Sequence, residues 1–129
     1  MLDAIVKGFY TQLATYSGSY NAYHIIAPQT ASLPYVTFGL ETDVPMGEFG
    51  NLEAIEDLTF WVNCFSNTGQ KAVGVLADLV LAVMDDATLS ITGYTHLVCR
   101  REFIGTIIYD LETGIFQVPL RYRVWENKV

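Results

Sequence analysis

The stretch DLTFWVNCF, residues 57–65, decides how this chain folds. Leu58, Phe60, Val62 and Cys64 alternate with Thr59, Trp61, Asn63 and Phe65, the two-residue period of a β-strand. Both sets carry large apolar groups, so the strand is expected to lie centrally in a sheet, covered at least in part on both faces. Directly after it, Asn67 and Gln70 have the spacing of a capping box. They open a helix read from Thr68 to about Asp85, which is expected to bury Ala72, Val73, Leu76, Leu79, Val80 and Val83 and to leave Lys71 and Asp78 in solvent.

Toward the C-terminus the chain reads as strands. Thr88 to Ile91 is a short one ending at Gly93, and residues 95–109 are rich in β-formers. The run Asp110, Leu111, Glu112, Thr113, Gly114 marks a hairpin turn. From 115 to 125 the alternation is strict. Phe116, Val118, Leu120, Tyr122 and Val124 face in, while Gln117, Pro119, Arg121, Arg123 and Trp125 face out. Pro119 has no N–H to give to a ladder, which predicts an edge position or a bulge.

Toward the N-terminus, Leu2, Ile5, Val6, Phe9 and Leu13 recur at helical spacing, and predict an amphipathic helix over 2–16. Asp3 suits the start of its dipole. The break from Ser17 to Asn21 is lined by Tyr16, Tyr20 and Tyr23, read as packing onto the core. After Pro28 and Pro34, Tyr35 to Leu40 alternates as a strand with one buried face. Residues 41–54 show no periodicity and hold Pro45, Gly47, Gly50 and Asn51, so they read as a long loop. Met46, Glu48, Phe49 and Glu53 on it are read as a contact that orders against another subunit. Together the elements predict a single α+β domain over 1–129, with two main helices packed on a mostly antiparallel sheet of four to five strands.

At 129 residues one domain is expected. The chain is 51% hydrophobic and only 16% charged, so its apolar excess must fill an interior or a subunit interface. Its net charge is -7 and Lys and Arg form no block, which excludes tight binding to nucleic-acid phosphates through a basic footprint. No apolar run approaches the 18 or so residues needed to span a membrane. Met1 to Tyr10 lacks the pattern of a signal peptide, so synthesis in the cytoplasm is expected. Cys64 and Cys99 make no disulfide framework and sit in no metal-binding spacing; they read as small buried apolar groups.

A catalytic constellation does not assemble. His24 is placed in a loop and His96 in a strand, neither with a second ligand nearby in sequence, and Asp85-Asp86 reads as a solvated turn. There is no nucleophile elbow, phosphate-binding loop or dinucleotide fingerprint. The chain is therefore read as non-enzymatic, with no catalytic, metal or cofactor residue assigned.

Ile26, Ala27, Pro28, Gln29, a short gap, and then Leu33, Pro34, Tyr35, Val36, Thr37, Phe38 resemble the signature of the tail-completion and tail-terminator family of siphophages and related prophages. The Leu58–Phe65 strand, the apolar helix Val73–Met84, the element Leu89–Gly93, a hairpin, and the closing Arg121, Tyr122, Arg123, Val124 follow the same plan over nearly the whole chain. The Tyr16–Tyr23 stretch departs from it. The resemblance implies a hexameric ring of this chain at the head-proximal end of the tail tube in the virion. Such a ring ends tube growth, with the tail tube protein and a head–tail connector protein as partners, and DNA passes through its lumen unbound. A heterologous ring needs two different patches per subunit. Residues 41–54 and the face carrying Pro119, Arg121, Arg123 and Trp125 are the expected pair. The alternatives are a head-completion or connector protein at the same junction, and a small-ligand-binding α+β domain built around His96, Asn63 and Arg101.

Overall fold

The computed structural model describes residues 2–15, 21–48 and 51–128, with the backbone alone at 46–48 and 51–54. The elements run α1 (Leu2–Leu13), β1 (Asn21–His24), β2 (Tyr35–Glu48), β3 (Asn51–Ser66), α2 (Gln70–Met84), β4 (Tyr94–Ile104), β5 (Ile108–Asp110) and β6 (Ile115–Lys128). They form an α+β fold with one mixed six-stranded sheet, in the order β1-β2-β3-β6-β4, with β5 also on β6. Every pairing is antiparallel except β1 on β2. The expected four to five strands become six because β1 was hidden and the run 95–109 divides into β4 and β5, while 88–91 drops out. Asn21 to His24 is only four residues long and is recruited by Tyr35–Phe38 beside it, a pairing that local alternation does not report.

The 57–65 strand is central, between β2 and β6. Its inner set, Leu58, Phe60, Val62 and Cys64, is wholly buried with Val36, Phe38, Val118, Leu120, Tyr122 and Val124. Onto this face α1 brings Ile5, Phe9 and Leu13, and α2 brings Val73, Leu76, Ala77, Val80 and Met84. The rings of Phe9 and Phe60 stack at 4.0 Å and 9°, with Phe38 tilted at 5.5 Å from Phe9. Of the residues expected inside α2, Val73, Leu76 and Val80 are buried, and Ala72, Leu79 and Val83 are half-buried.

Four local expectations are corrected. Residues 41–48 and 51–54 are not a loop: β2 continues to Glu48 and β3 starts at Asn51, so they form two long paired arms. Their missing alternation has a cause, because the register shifts between Leu40 and Thr42 and between Met46 and Glu48. Phe49 and Gly50 lie outside the described residues, as do Tyr16 to Tyr20, while Tyr23 and His24 belong to β1. Gly69, at φ 140° and without a side-chain cap, rather than Asn67, precedes α2. Ser66 competes for this segment, its Oγ accepting from Thr68 N at 3.4 Å.

Residues 88–91 form no strand. Leu89 and Ile91 are buried as alternation suggests, but they belong to no strand, and Ile91 lies against α1 at Gly8. A Cβ on Gly8 would stand 2.5 Å from Ile91 Cγ1 and 2.8 Å from the Ser90 carbonyl oxygen. Gly8→Ala is therefore expected to destabilise the domain by about 1–3 kcal/mol, read by urea denaturation. A neutral effect would mean that α1 moves off the 90–91 segment without cost.

Pro119 overturns its expectation in an instructive way. Strand β6 is no edge; it is flanked by β3 on one side and by β4 and β5 on the other. Yet β4 ends opposite Leu120 and β5 begins opposite Gln117, so Pro119 faces the break between them. Its carbonyl accepts from Gly105 N at 2.7 Å. The N–H that it lacks would point to that same interrupted side, where no ladder partner waits.

Candidate interface surface

Both helices cover one face of the sheet, and among the described residues no helix covers the other. Cross-strand register writes this open face in rows. Gly39, Trp61, Arg121 and Phe103 form one, and Val44, Asp57, Trp125 and Val98 another. Between them lie Thr42, Thr59, Arg123 and Arg100. Trp61 lies against Gly39, where a Cβ would come within 2.6 Å of the indole. A glycine is needed there because the ring occupies the place of its side chain.

Charges on this face are mostly paired. Arg123 donates twice to Asp57, from Nε to Oδ1 at 3.0 Å and from Nη2 to Oδ2 at 3.1 Å. Trp125 Nε1 adds a third bond to Asp57 Oδ1 at 3.1 Å. Arg121 Nη2 donates to Glu41 Oε1 at 3.0 Å, and its guanidinium sits 5.0 Å from the centre of the Phe103 ring. Arg100 stands directly opposite Arg123, with no carboxylate bonded to it among the described residues. Val98, Arg100, Arg123 and Trp125 line a notch of about 100 Å³. The result is a flat aromatic and polar surface with fixed side chains, suited to contact another protein and offering no deep pocket for a substrate.

The structure thus brings Pro119, Arg121, Arg123 and Trp125 onto one face. Met46, Glu48 and Glu53 lie apart on the paired arms, and Phe49 is outside the described residues. Glu41, Asp57, Trp61, Arg100 and Phe103 were not singled out from the sequence. The parity of the 57–65 strand already placed Asp57 with Trp61; the bond from Glu41 to Arg121 spans 80 residues and required the register.

A second polar group closes the far end of the helix-covered face. Glu126 is wholly buried, and its Oε1 lies 2.8 Å from His96 Nδ1. Glu56, also buried, stands opposite Glu126 in the register. Burial pushes the Glu126 carboxyl above the ordinary range, and the His96 contact pulls it back. Tyr94 is raised by burial first and then by Glu56, Asp43 and Glu126. Sequence spacing gave His96 no partner; the fold supplies one 30 residues away. Among the described residues no group of three or more His, Cys, Asp or Glu is placed to hold a metal. Burial pushes Cys64 and Cys99 up to about 12, so both are thiols at neutral pH and poor nucleophiles. Among the described residues no helix is long and apolar enough to cross a membrane.

The family model described as tail completion protein gp17 matches residues 10–127. No curated protein matches the chain in sequence. Among solved structures, a chain from the virion of a native gene transfer agent particle superposes with a TM-score of 0.77, at 13% identity over 97% of this chain and 96% of its own. Another solved chain, also 13% identical, superposes at 0.64 over 100% of this chain and 96% of its own. At such identity these likenesses speak for the fold.

Proposed function

Because the chain belongs to the tail completion protein gp17 family, and is thereby a structural component of a phage tail, we propose that it forms a ring, sixfold as the sequence resemblance implies, on the head-proximal end of the tail tube. There it ends tube polymerisation and joins tail to head. The observation that carries this reading is the one-sided sheet. A chain with 51% hydrophobic residues covers one face with helices and leaves the other a broad, ordered aromatic and ion-paired surface. Such a surface serves contact between rigid proteins. The net charge of -7, repeated around a ring, would keep a lumen repellent to DNA. Partners on this reading are further copies, the tail tube protein and the head–tail connector.

Negative-stain electron microscopy of the full chain, alone and with tail tube protein, tests the proposal. Sixfold rings with a central hole, or tubes capped at one end, are expected; tubes that keep growing in its presence would refute it. The open face has its own test. The pairs Arg121–Glu41 and Arg123–Asp57 are partly exposed and worth about 1 kcal/mol or less each. The double variant Arg121→Glu, Arg123→Glu is expected to stay folded by circular dichroism and to lose assembly. Normal assembly would remove this face from the interface.

A further inference from the structure

We infer that copies of this chain join edge to edge, the β4–β5 edge of one against the β1 edge of the next, so that the sheet continues across the subunit boundary; this rests on the ring reading above. The exposed apolar residues carry the inference. Of thirteen large ones among the described residues, seven fall between 97 and 111, on β4, β5 and their connections. Leu97, Phe103, Ile104, Ile108 and Tyr109 lead this strip. Leu2, Tyr10, Ile25, Ile26 and Val44 belong to α1, the end of β1 and β2, at the opposite side of the sheet. One exposed apolar residue, Val75 on α2, belongs to neither. Two unlike patches at opposite edges are what a heterologous contact requires.

The backbone agrees. In the order β1-β2-β3-β6-β4, β1 and β2 run one way, β3 the other, β6 as β2, and β4 and β5 as β3. A β4 edge set beside the next copy's β1 therefore meets it antiparallel. Among the described residues each of these edges pairs with another strand on one side only. Ile25 supplies an independent sign. It is a β-branched residue at φ 70°, and Ile26 N bonds back to His24 O at 2.8 Å, a tight turn in strained backbone. That turn holds Ile25 and Ile26 at 54% and 78% exposure, an arrangement that costs the isolated chain and serves a partner. The occupant is a second copy, since only another copy brings both patches at once and lets the contact repeat.

The test uses the full chain with Ile26→Asp, Ile104→Asp and, as control, Val75→Asp. All three sites are exposed, and unchanged thermal unfolding confirms each fold. Sedimentation velocity is expected to show the half-assembly concentration raised about 100-fold or more by either edge variant and unmoved by the control. Mixed in equal amounts, the two edge variants keep one good edge each and should stop at a two-chain complex. Wild-type assembly by either edge variant, or a mixture that stays monomeric while wild type assembles, overturns the inference and leaves the terminator reading standing. Wild type that stays monomeric at millimolar concentration also overturns it. Tail tubes left uncapped by wild type count against the terminator reading itself.

Discussion

Phe9→Ala is expected to remove about 3–5 kcal/mol of stability, the largest loss of any single truncation proposed for this domain. Phe9 is wholly buried and stacks on Phe60 at 4.0 Å. It fastens α1 to the centre of the sheet, because Phe60 lies on β3 and Phe38, its other neighbour, on β2. Alanine would leave a cavity lined by residues from two strands, with α1 as the element free to shift. Domains of this size are stable by about 5–15 kcal/mol, so much of the margin would go. Urea denaturation with an unchanged slope measures it. A loss under about 1.5 kcal/mol would show that α1 re-seats and that the stack is not its anchor.

His96→Ala is expected to cost about 3 kcal/mol at neutral pH and clearly less in acid. The sign follows from Glu126. Its carboxyl titrates above the unfolded value because it is buried, so the folded state holds the proton more tightly. The cost of its burial is fully present above the folded pKa, shrinks as pH falls through it, and is gone below the unfolded pKa. His96 offsets that cost by its 2.8 Å contact, and removing the ring restores it in full. Stability curves at pH 7 and at about pH 4 test this, with His96→Gln, which keeps a donor, losing less. Equal losses at both pH values would show that the imidazole acts by packing alone.

Much of the fold was legible where side-chain period and burial agree. Residues 57–65 and 115–125 revealed two neighbouring strands and correctly sorted their faces, because hydrophobic groups on a period of two have one way to face a core. The apolar stripe of α2 was equally plain. What stayed hidden was set by distant partners. β1 exists because β2 lies alongside it, and 41–54 lost its alternation to two register shifts. Leu89 and Ile91 alternate as a strand would, yet lie in no strand, with Ile91 against α1. The site follows the same division. Arg121, Arg123 and Trp125 could be assigned to one outward face from parity alone, whereas their partners Glu41 and Asp57 depended on which strands meet.

The middle position of β6 also sets a timetable. β4 and β5 pair with β6 and with no other described strand, and β3 needs β6 to cover its second side. On a ribosome adding about 5–20 residues per second, β3 is finished at Ser66 and then waits roughly 3–12 s for Lys128. During that interval β2, β3 and α2 can dock, while β4 emerges with no strand to receive it. Of the described strands, the last in chain order is thus the one that joins β1, β2 and β3 to β4 and β5. A nascent chain halted before Ile115 holds five strands' worth of sequence with an apolar flank open, a substrate for chaperones rather than a smaller version of the domain.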